Sequence, residues 1–554
     1  MKPRGKIALL LVSLLVLAGV LTFASWLPLR NARDEWRAGR DAQAIADAER
    51  WSHLYLWPGQ YQQLLAAAYL TAGNAAAARP HLDDLAQRKL WLSVVAKDEV
   101  ARRLYARGDY AGFLAYDAAS HELREKPEVA LYRAAALTAT NRIADAEATL
   151  QKVDRSDVDA AKVSALEQAI AQRKQGSYPL ILDRDGHAIA AYQVGNQELV
   201  AVDRFFDALV AKSAGPLTLG AQLPRIGLND TVETTLDPAI QKAAIHALGG
   251  FRGSLVAIDP RTNELLAIAS NAERGPLANL ALEGQYEPGS VVKVLTGLNA
   301  VSSGLDYKSM FPYACNGELT IDGRRFGDWL PAGHGPLPSL NDALAQSCNI
   351  VFADIGIRLG VQRLHAFMNE AGFDGQTDLG LMTVPLGKTV GPIANNFDTA
   401  FYAIGLEHES INALHLAMIG SMMANRGELV QPRLIRGRRT LLGETAPNAA
   451  PQSRKRLASA EAAEVIVQAM IAVANDPKGT GRRAPVQGMS LAMKTGTAGH
   501  RTPEGGNLLA LIVAFAPVEK PTIAFGMIAE DAGPAEYAGA KIAHDFLESV
   551  KERR

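Results

Sequence analysis

The feature that most constrains this chain is an uncharged apolar run that begins at Ile7 and ends near Leu29. A helix that spans a membrane needs about 20 such residues. Cationic residues precede the run and favour a cytoplasmic N-terminus; they are Lys2, Arg4 and Lys6. We therefore expect residues 1–30 to form a short cytoplasmic N-terminus and one transmembrane anchor, with the remainder of the chain outside the membrane.

A cleaved signal peptide is the alternative for the same segment. Its apolar core is usually only about 7 to 15 residues long and is followed by a small-x-small cleavage site. The run from Ile7 is longer and shows no clear site of that kind, so a retained anchor is favoured. Four arginines just beyond the run weaken the charge asymmetry, and they are Arg30, Arg33, Arg37 and Arg40.

Residues 31–175 are rich in Ala, Leu, Gln, Glu and Arg and predict an all-helical domain. Turn residues recur in it at intervals of 34, 35 and 33 positions, namely Gly39, Gly73, Gly108 and Asn141. A large apolar residue stands four positions before each of the last three turns, namely Tyr69, Leu104 and Leu137. This period resembles that of tetratricopeptide repeats, and an ordinary helical bundle is the alternative. Repeats of this type present a concave face, which suggests a protein partner.

Charge and cysteine content exclude several functions. The formal net charge is -1, so nucleic acid is not an expected partner. Cys315 and Cys348 are the two cysteines, and no Cys-x-x-Cys or His-Glu-x-x-His motif is present. We therefore expect no metal site and no cofactor. A single disulfide between the two cysteines remains open.

The second half of the chain predicts an α+β domain. Residues 176–230 form a small mixed linker region that contains a hairpin with an Asp-Gly turn. Residues 231–554 begin with a hairpin at 253–270 and end with two further strands, with helical stretches between them. Strands at both ends suggest one antiparallel sheet flanked by helices. The turn-rich stretch from Leu441 to Arg454 is expected to be an exposed loop.

Ser290 and Lys293 are the first candidates for catalysis. Three positions apart at the start of a predicted helix, they lie on one face and can touch. A serine hydroxyl needs a base, and an amine can serve only if burial or another cation lowers its pKa. The helix N-terminus would also stabilise developing negative charge.

A second group of candidates lies in the sequence Lys494-Thr495-Gly496-Thr497. Its cation and two hydroxyls, predicted on a strand, would bind a carboxylate. Gly496 would let a ligand approach the backbone closely.

Ser347 and Asn349 complete the set, although the Ser-x-Asn pattern also occurs at Ser339 and Ser410. We prefer Ser347 because it lies within what reads as one continuous apolar helix over residues 344–358, where its hydroxyl would need partners. Ser339 reads as a helix cap instead.

The order Ser-x-x-Lys, Ser-x-Asn, Lys-Thr-Gly, with separations of 57 and 147 positions, resembles the penicillin-binding protein and serine β-lactamase superfamily. The surrounding segments Y-E-P-G-S-V-V-K, D-W-L-P-A-G-H-G, L-A-Q-S-C-N and M-K-T-G-T-A are similar to those of monofunctional class B penicillin-binding proteins. The resemblance covers residues 231–554 and implies a penicillin-binding transpeptidase domain. It also implies a bacterial inner-membrane location with the catalytic domain on the extracytoplasmic side.

The resemblance implies a role for each candidate. Ser290 would attack the penultimate D-alanine of a peptidoglycan stem peptide, and Lys293 would accept its proton. Ser347 would relay a proton to the leaving amine, and Asn349 would bind the substrate backbone. Lys494, with Thr495 and Thr497, would bind the terminal carboxylate, and the N–H groups of Ser290 and Thr497 would form the oxyanion hole.

Three functions agree with these roles. A D,D-transpeptidase inhibited by β-lactams is the first. A D,D-carboxypeptidase and a non-catalytic penicillin-recognising membrane sensor or scaffold are the alternatives. No Glu-x-x-Leu-Asn pattern supplies the water-activating base of a class A β-lactamase. The chain departs from the resemblance at Gly405-Leu406, where Gly-Gln is frequent, and at His500, which we interpret as a residue of the cleft rim.

Overall fold

The computed structural model of the chain describes residues 3–53, 56–88, 93–119, 126–272, 275–447, 452–499 and 507–551. It divides into two compact units. The helical unit contains residues 1–176, 228–231 and 438–446, and the mixed unit contains residues 177–227, 232–437 and 447–554.

The helical unit is built from consecutive helices. They are α1 (Pro3–Arg37), α2 (Asp41–Trp51), α3 (Pro58–Thr71), α4 (Ala75–Ala86), α5 (Lys97–Ala106), α6 (Tyr110–Ala119), α7 (Pro127–Ala139), α8 (Ile143–Leu150) and α9 (Ala160–Lys174).

The four recurring turn residues share one backbone geometry. Each has a positive φ, between 60° and 82°, and each joins two successive helices. After each of the four, the next N–H donates to the carbonyl oxygen five positions back, which belongs to Glu35, Tyr69, Leu104 or Leu137. The left-handed residue satisfies the free carbonyls at the end of the first helix and reverses the chain. The repeated sequence spacing therefore corresponds to four helix–turn–helix pairs.

Helix α1 has two parts with different surroundings. Within the described residues it is the one helix long and apolar enough to cross a membrane. Its apolar side chains between Val12 and Phe23 are exposed. Leu29 and Trp36, by contrast, are fully buried in the core of the helical unit. The boundary expected near residue 30 thus falls inside a continuous helix.

The sequence predicts an exposed loop from Leu441 to Arg454, and this prediction is wrong for the first two residues. Leu442 is 4% exposed and belongs to the apolar core of the helical unit, with Leu441 packed against the same core. Two large apolar side chains in a turn-rich stretch are stabilised by burial, which turn propensity alone does not reveal.

The strands of the mixed unit, several of which are short, follow in chain order. They are β1 (Ser177–Leu182), β2 (Ala188–Gln193), β3 (Glu198–Ala201), β4 (Thr231–Thr234), β5 (Gly253–Asp259), β6 (Glu264–Asn271), β7 (Tyr313–Cys315), β8 (Glu318–Ile321), β9 (Arg324–Gly327), β10 (Gly335–Leu337), β11 (Gln376–Asp378), β12 (Thr383–Pro385), β13 (Lys388–Thr389), β14 (Glu409–Ser410), β15 (Glu428–Val430), β16 (Ile435–Arg439), β17 (Thr445–Pro447), β18 (Arg454–Arg456), β19 (Ala492–Ala498), β20 (Leu509–Ala516) and β21 (Ile523–Ala529).

The helices between and after these strands are α10 (Asp207–Val210), α11 (Leu223–Ile226), α12 (Pro238–Leu248), α13 (Leu280–Glu283), α14 (Lys293–Ser302), α15 (Leu340–Ala345), α16 (Asn349–Leu359), α17 (Val361–Glu370), α18 (Asn396–Ile404), α19 (Ala413–Ala424), α20 (Ala460–Asn475) and α21 (Ala538–Lys551).

The central sheet of the mixed unit has the order β19-β20-β21-β5-β6, and all of its pairs are antiparallel. The hairpin of β5 and β6 near the start of the domain and the strands β19, β20 and β21 near its end therefore share one sheet, which confirms the α+β prediction. Helix α19 covers one face, because a Cβ built on Gly526 would meet Leu416 at 2.4 Å. The neighbouring Phe525 faces the other side and packs against Phe546 of α21 at 5.1 Å.

The linker region also contains the predicted hairpin. Strands β1 and β2 pair antiparallel around the turn that contains Asp185 and Gly186, and β3 pairs with β2. Strand β4 runs parallel to β1 through Val232 and Glu233.

Candidate active site

Ser290 lies in a short 3-10 turn over Gly289–Val292, the serine turn, which leads directly into α14. The prediction of an α-helix beginning at the serine is corrected to this tighter turn. Val291 and Val292 are buried, whereas Ser290 is only half-buried. The two valines that follow Ser290 therefore anchor the turn and leave the serine hydroxyl accessible.

Three glycines hold the serine turn close to its neighbours. Gly289 has φ +58°, and a Cβ there would lie 2.6 Å from the carbonyl oxygen of Thr497. A Cβ on Gly405, whose φ is +81°, would lie 2.1 Å from the carbonyl oxygen of Gly289. A Cβ on Gly496 would lie 2.9 Å from the Pro288 carbonyl oxygen. Real Cβ atoms do not approach that closely, so the backbones on both sides of the turn touch only because these residues lack side chains.

The role expected for Gly496 is modified by this packing. We expected the missing side chain to admit a ligand. In the structure the side of Gly496 that a Cβ would occupy is filled by the protein itself, through Pro288 and Val291.

Lys293 is fully buried at the first position of α14. Its Nζ donates to Asn349 Oδ1 at 2.6 Å, to the Ser347 carbonyl oxygen at 2.8 Å and to Ser347 Oγ at 3.4 Å. Ser347 and Asn349 therefore supply the hydrogen bonds of this lysine.

The continuous helix predicted over residues 344–358 is wrong. Helix α15 ends at Ala345, α16 begins at Asn349, and Ser347 between them has φ +57°. A left-handed serine is uncommon and strained. The break turns the Ser347 hydroxyl toward the lysines, whereas an uninterrupted helix would have directed it along the helix surface.

The interpretation of Ser339 as a helix cap is confirmed. Ser339 caps α15, and its side chain accepts a hydrogen bond from the N–H of Asp342. Such caps stabilise the first turn of a helix.

Lys494 is fully buried on β19, the edge strand of the central sheet. Its Nζ donates to Ser347 Oγ at 2.9 Å and to the Thr495 carbonyl oxygen at 2.7 Å. Ser347 Oγ thus lies between two buried ammonium nitrogens. All three residues come from different parts of the chain and meet at this hydroxyl.

Burial governs the protonation of both lysines. Loss of hydration lowers the pKa of Lys293 to about 8, and the negative charge of Asp328 opposes this effect. Burial and the neighbouring Lys293 lower the pKa of Lys494 well below its usual value.

Asp328 is a residue of this site that sequence reasoning did not identify. Its fully buried carboxylate accepts the N–H of Asn349 at 3.0 Å. It therefore holds the N-terminus of α16 and orients Asn349 toward Lys293. The available signal was the segment D-W-L-P-A-G-H-G, which begins at Asp328.

The two threonines on β19 already have partners within the protein. Thr495 Oγ1 donates to Thr480 Oγ1 at 2.6 Å, and Thr497 Oγ1 accepts the N–H of Ala535 at 3.0 Å. Both lie on the strand next to the serine turn. Thr480 is a further residue that sequence reasoning did not single out.

The chemical capacity of the site follows from these contacts. Within the part of the chain that the structure describes, the Ser290 hydroxyl has no hydrogen-bond partner, so it is available to a substrate. A buried amine with a lowered pKa is suited to accept a proton from such a hydroxyl. Ser347, in contact with both lysines, is suited to relay one. His500 lies outside the described residues.

Comparison with known proteins identifies related chains. A family model for the penicillin-binding protein transpeptidase domain matches residues 253–551. The peptidoglycan D,D-transpeptidase PbpA of Mycolicibacterium smegmatis is 29% identical over 339 residues, which are 54% of this chain and 67% of PbpA. The peptidoglycan D,D-transpeptidase MrdA of Acinetobacter baumannii is 28% identical over 357 residues, which are 56% of this chain and 52% of MrdA.

Solved structures share the fold. The D,D-transpeptidase domain of a peptidoglycan glycosyltransferase from Eggerthella lenta superposes with a TM-score of 0.59 at 24% identity, covering 68% of this chain and 99% of that one. The ceftriaxone acyl-enzyme complex of penicillin-binding protein A from Mycobacterium tuberculosis gives a TM-score of 0.57 at 22% identity, covering 67% and 98%.

Proposed function

Because the chain belongs to the penicillin-binding protein transpeptidase family, we propose that it is a peptidoglycan D,D-transpeptidase that works through an acyl-enzyme on Ser290 and is inhibited by β-lactams. The relatives PbpA and MrdA carry that activity in their names. The observation that carries the proposal is the buried Lys293–Ser347–Lys494 contact beside the serine turn. A protein that only recognised wall fragments would have no need of a buried base with a pKa of about 8.

In the first half-reaction, Ser290 Oγ attacks the carbonyl carbon of the penultimate D-alanine of a stem peptide. Lys293 accepts the hydroxyl proton, since burial favours its neutral form. Ser347 relays a proton to the amine of the terminal D-alanine, which leaves as the peptide bond breaks and the ester bond forms. The backbone N–H groups of Ser290 and Thr497 stabilise the oxyanion.

Substrate binding uses the edge of β19 and the start of α16. Lys494, Thr495 and Thr497 bind the terminal carboxylate along the strand, beside Gly496. Asn349 hydrogen-bonds the peptide backbone. These roles are supported by the position of β19 at the sheet edge, where strand hydrogen-bonding groups remain free for a ligand.

In the second half-reaction, an amine of a neighbouring stem peptide takes the acyl group and restores Ser290. Transfer to water instead would make the protein a D,D-carboxypeptidase. A β-lactam acylates the same hydroxyl as its ring opens. The amine that ring opening releases stays attached to the acyl group, so the opened ring remains bound to Ser290.

We further propose that α1 anchors the chain in the inner membrane as a single span, with the mixed unit on the extracytoplasmic side. The exposed apolar residues between Val12 and Phe23 support this location. The helical unit is proposed to be built from tetratricopeptide-type repeats that bind a protein partner. The four helix–turn–helix pairs with left-handed turn residues support the repeat.

Fluorescent penicillin tests the nucleophile. The full chain in detergent should become covalently labelled, and Ser290→Ala should abolish the labelling. Ser302→Ala, which changes an exposed serine at the end of α14, is the matched control and should label like the parent chain. Equal labelling of the Ser290→Ala chain would refute the assignment.

Incubation with synthetic stem pentapeptides separates the three functions. Release of D-alanine together with cross-linked dimers supports the transpeptidase. Release of D-alanine without dimers identifies a carboxypeptidase. Labelling by penicillin without release of D-alanine would indicate the sensor or scaffold.

A further inference from the structure

Glu287 lies three positions before Ser290, in the segment that leads into the serine turn. Its side chain is half-buried, and its two carboxylate oxygens accept hydrogen bonds from two different parts of the chain. Oε1 accepts the N–H of Glu407 at 2.6 Å, and Oε2 accepts the N–H of Gly499 at 3.3 Å. One side chain therefore connects the segment that carries the nucleophile to two other segments of the mixed unit.

The first contact is with the segment that follows α18. The carbonyl oxygen of Gly405 accepts the N–H of Gly289 at 2.7 Å, so this segment also touches the serine turn directly. Glu407, two positions later, has φ +65°. A left-handed backbone is uncommon for a residue with a side chain and persists only where its surroundings support it. The Glu287 carboxylate provides such support, because it accepts the N–H of this same residue.

The second contact is with the end of β19. The pairing of β19 with β20 ends at Ala498 and Leu509, so the N–H of Gly499 lies just beyond the sheet. Backbone N–H groups two positions apart along a strand point to the same edge. The N–H that Glu287 accepts is therefore on the edge of β19 that carries the N–H of Thr497. That N–H is one of the two proposed donors of the oxyanion hole.

The backbone on which Glu287 stands is fixed independently of its side chain. The N–H of Tyr286 donates to the Ile411 carbonyl oxygen at 3.0 Å, and the N–H of Ile411 donates to the Tyr286 carbonyl oxygen at 2.8 Å. Pro288 follows, and its ring restricts φ. The carboxylate therefore extends from a rigid base and can hold the segments that it contacts.

From these contacts we infer that Glu287 is a positioning residue, which sets the separation of the Ser290 and Thr497 N–H groups and thereby the width of the oxyanion hole. The inference rests on the acyl-enzyme function proposed above. Glu287 acts through backbone groups alone. Donors of an oxyanion hole stabilise the developing charge because they are held in place before the reaction begins. A carboxylate suits this role because it offers two acceptor oxygens and no donor.

Stopped-flow acylation of the full chain in detergent by a fluorescent penicillin tests the inference. Glu287→Ala should lower the acylation rate constant by about tenfold or more. The dissociation constant of the non-covalent penicillin complex should stay unchanged, since the loss concerns the transition state. Glu287→Gln keeps the volume of the side chain and one acceptor oxygen, so its rate constant should lie between those of the parent chain and Glu287→Ala.

Glu283→Ala is the matched control. The Glu283 carboxylate accepts the N–H of Leu217 at 2.6 Å, a contact that involves neither β19 nor the segment after α18. The substitution removes the same kind of side chain and the same kind of hydrogen bond. Glu283→Ala should therefore acylate at the parent rate.

An arylboronic acid separates positioning from a general loss of structure. It adds to the Ser290 oxygen, whose proton passes to Lys293, and places a boron-bound hydroxyl in the oxyanion hole. Its affinity should fall in Glu287→Ala by the same factor as the acylation rate constant, because it resembles the transition state. A purely structural role would instead reduce the amount of protein that labels and leave the rate constant of the folded fraction unchanged.

The outcomes distinguish this inference from the proposed function. Parent-like rate constants in Glu287→Ala and Glu287→Gln, or a slower acylation with unchanged boronic acid affinity, would overturn the positioning role and leave the nucleophile assignment intact. Glu287→Gln carries the same comparison if Glu287→Ala does not fold. A parent chain that penicillin fails to label would refute the proposed function, and the positioning role with it.

Discussion

At the scale of single residues, the hydroxyl of Ser347 is the atom on which the site converges. It lies within 3.4 Å of both lysine nitrogens. Two buried ammonium groups cannot both remain charged without strong mutual repulsion, so at least one is held neutral at ordinary pH. The pKa of Lys494 is lowered well below its usual value and that of Lys293 is about 8, so Lys293 reaches the neutral form that a base for Ser290 requires as the pH rises through 8.

The pH dependence of acylation follows from Lys293. Its pKa is about 8, and only the neutral amine can accept the serine proton. We expect the second-order rate of penicillin acylation to rise about tenfold per pH unit below that value and to level off above it. Stopped-flow measurement with a fluorescent penicillin between pH 6 and 10 checks this, and a flat profile over that range would exclude Lys293 as the base.

Two substitutions at Ser347 separate its hydroxyl from its backbone strain. Both Ser347→Ala and Ser347→Gly remove Oγ, so each should slow acylation by about 100-fold. Glycine accepts φ +57° without strain, so the glycine variant should be more stable than the alanine variant by about 1 kcal/mol. Acylation rates and urea unfolding curves measure the two effects. Recovery of the acylation rate in Ser347→Gly alone would mean that the backbone, and not the hydroxyl, is required.

At the scale of elements, the serine turn is positioned by the backbones beside it. The strand β19 lies on one side, at Gly496 and Thr497, and the end of α18 lies on the other, at Gly405. Glycines at these contacts allow a spacing that no other residue permits. The position of Ser290 therefore depends on backbone contacts with two elements that do not contain it.

Gly405→Ala tests this dependence. The ideal position of the added Cβ lies 2.1 Å from the Gly289 carbonyl oxygen. The Cβ would therefore press on this oxygen and displace the serine turn. A shift of about 1 Å at the nucleophile lowers reaction rates by roughly 100-fold. We expect at least that loss in penicillin acylation.

Gly488→Ala provides the control for backbone strain in this experiment. Its φ of +77° is nearly the same, and a Cβ there would meet no atom within 4 Å. It should lose about 1 kcal/mol of stability and keep its acylation rate. Similar acylation rates in the two variants would show that the contact with Gly289 is unimportant.

How much of these elements can be predicted from the sequence depends on whether neighbouring or distant residues determine them. The hairpins around Pro260 and Gly186 are encoded by neighbouring residues. The prediction of the central sheet followed from the first of these hairpins and from the strands near the end of the chain. The position of Lys293 at the start of α14, directly after the serine turn, also follows from the local sequence. The break at Ser347 could not be predicted, because contacts with distant lysines stabilise it against local helix propensity. The position of Asp328 likewise depends on tertiary packing alone.

At the scale of the whole molecule, α1 belongs to two environments at once. Its first part is apolar and exposed, and its last turns are built into the helical unit. Trp36 donates to Thr71 Oγ1 at 3.0 Å, and Trp57 donates to Ser25 Oγ at 3.0 Å. The helical unit is therefore incomplete without residues from 25 onward.

Truncation experiments follow from this arrangement. A chain that begins at Ser25 keeps these contacts, and its helical unit should unfold like that of the full chain. A chain that begins at Asp41 loses Leu29 and Trp36, and removal of a buried Trp alone costs roughly 3–5 kcal/mol. Its helical unit should unfold at a lower temperature by circular dichroism. Identical unfolding of the two chains would mean that α1 contributes nothing to this core.

The three glycines around the serine turn also limit how such a protein can evolve under antibiotic treatment. A substitution at Gly289, Gly405 or Gly496 would shift the nucleophile for the natural peptide as much as for the drug, because the displacement occurs in the backbone. Resistance that preserves wall synthesis must therefore arise from side chains that distinguish the two ligands. In populations selected with β-lactams, we expect these three codons to remain unchanged while residues along the cleft vary.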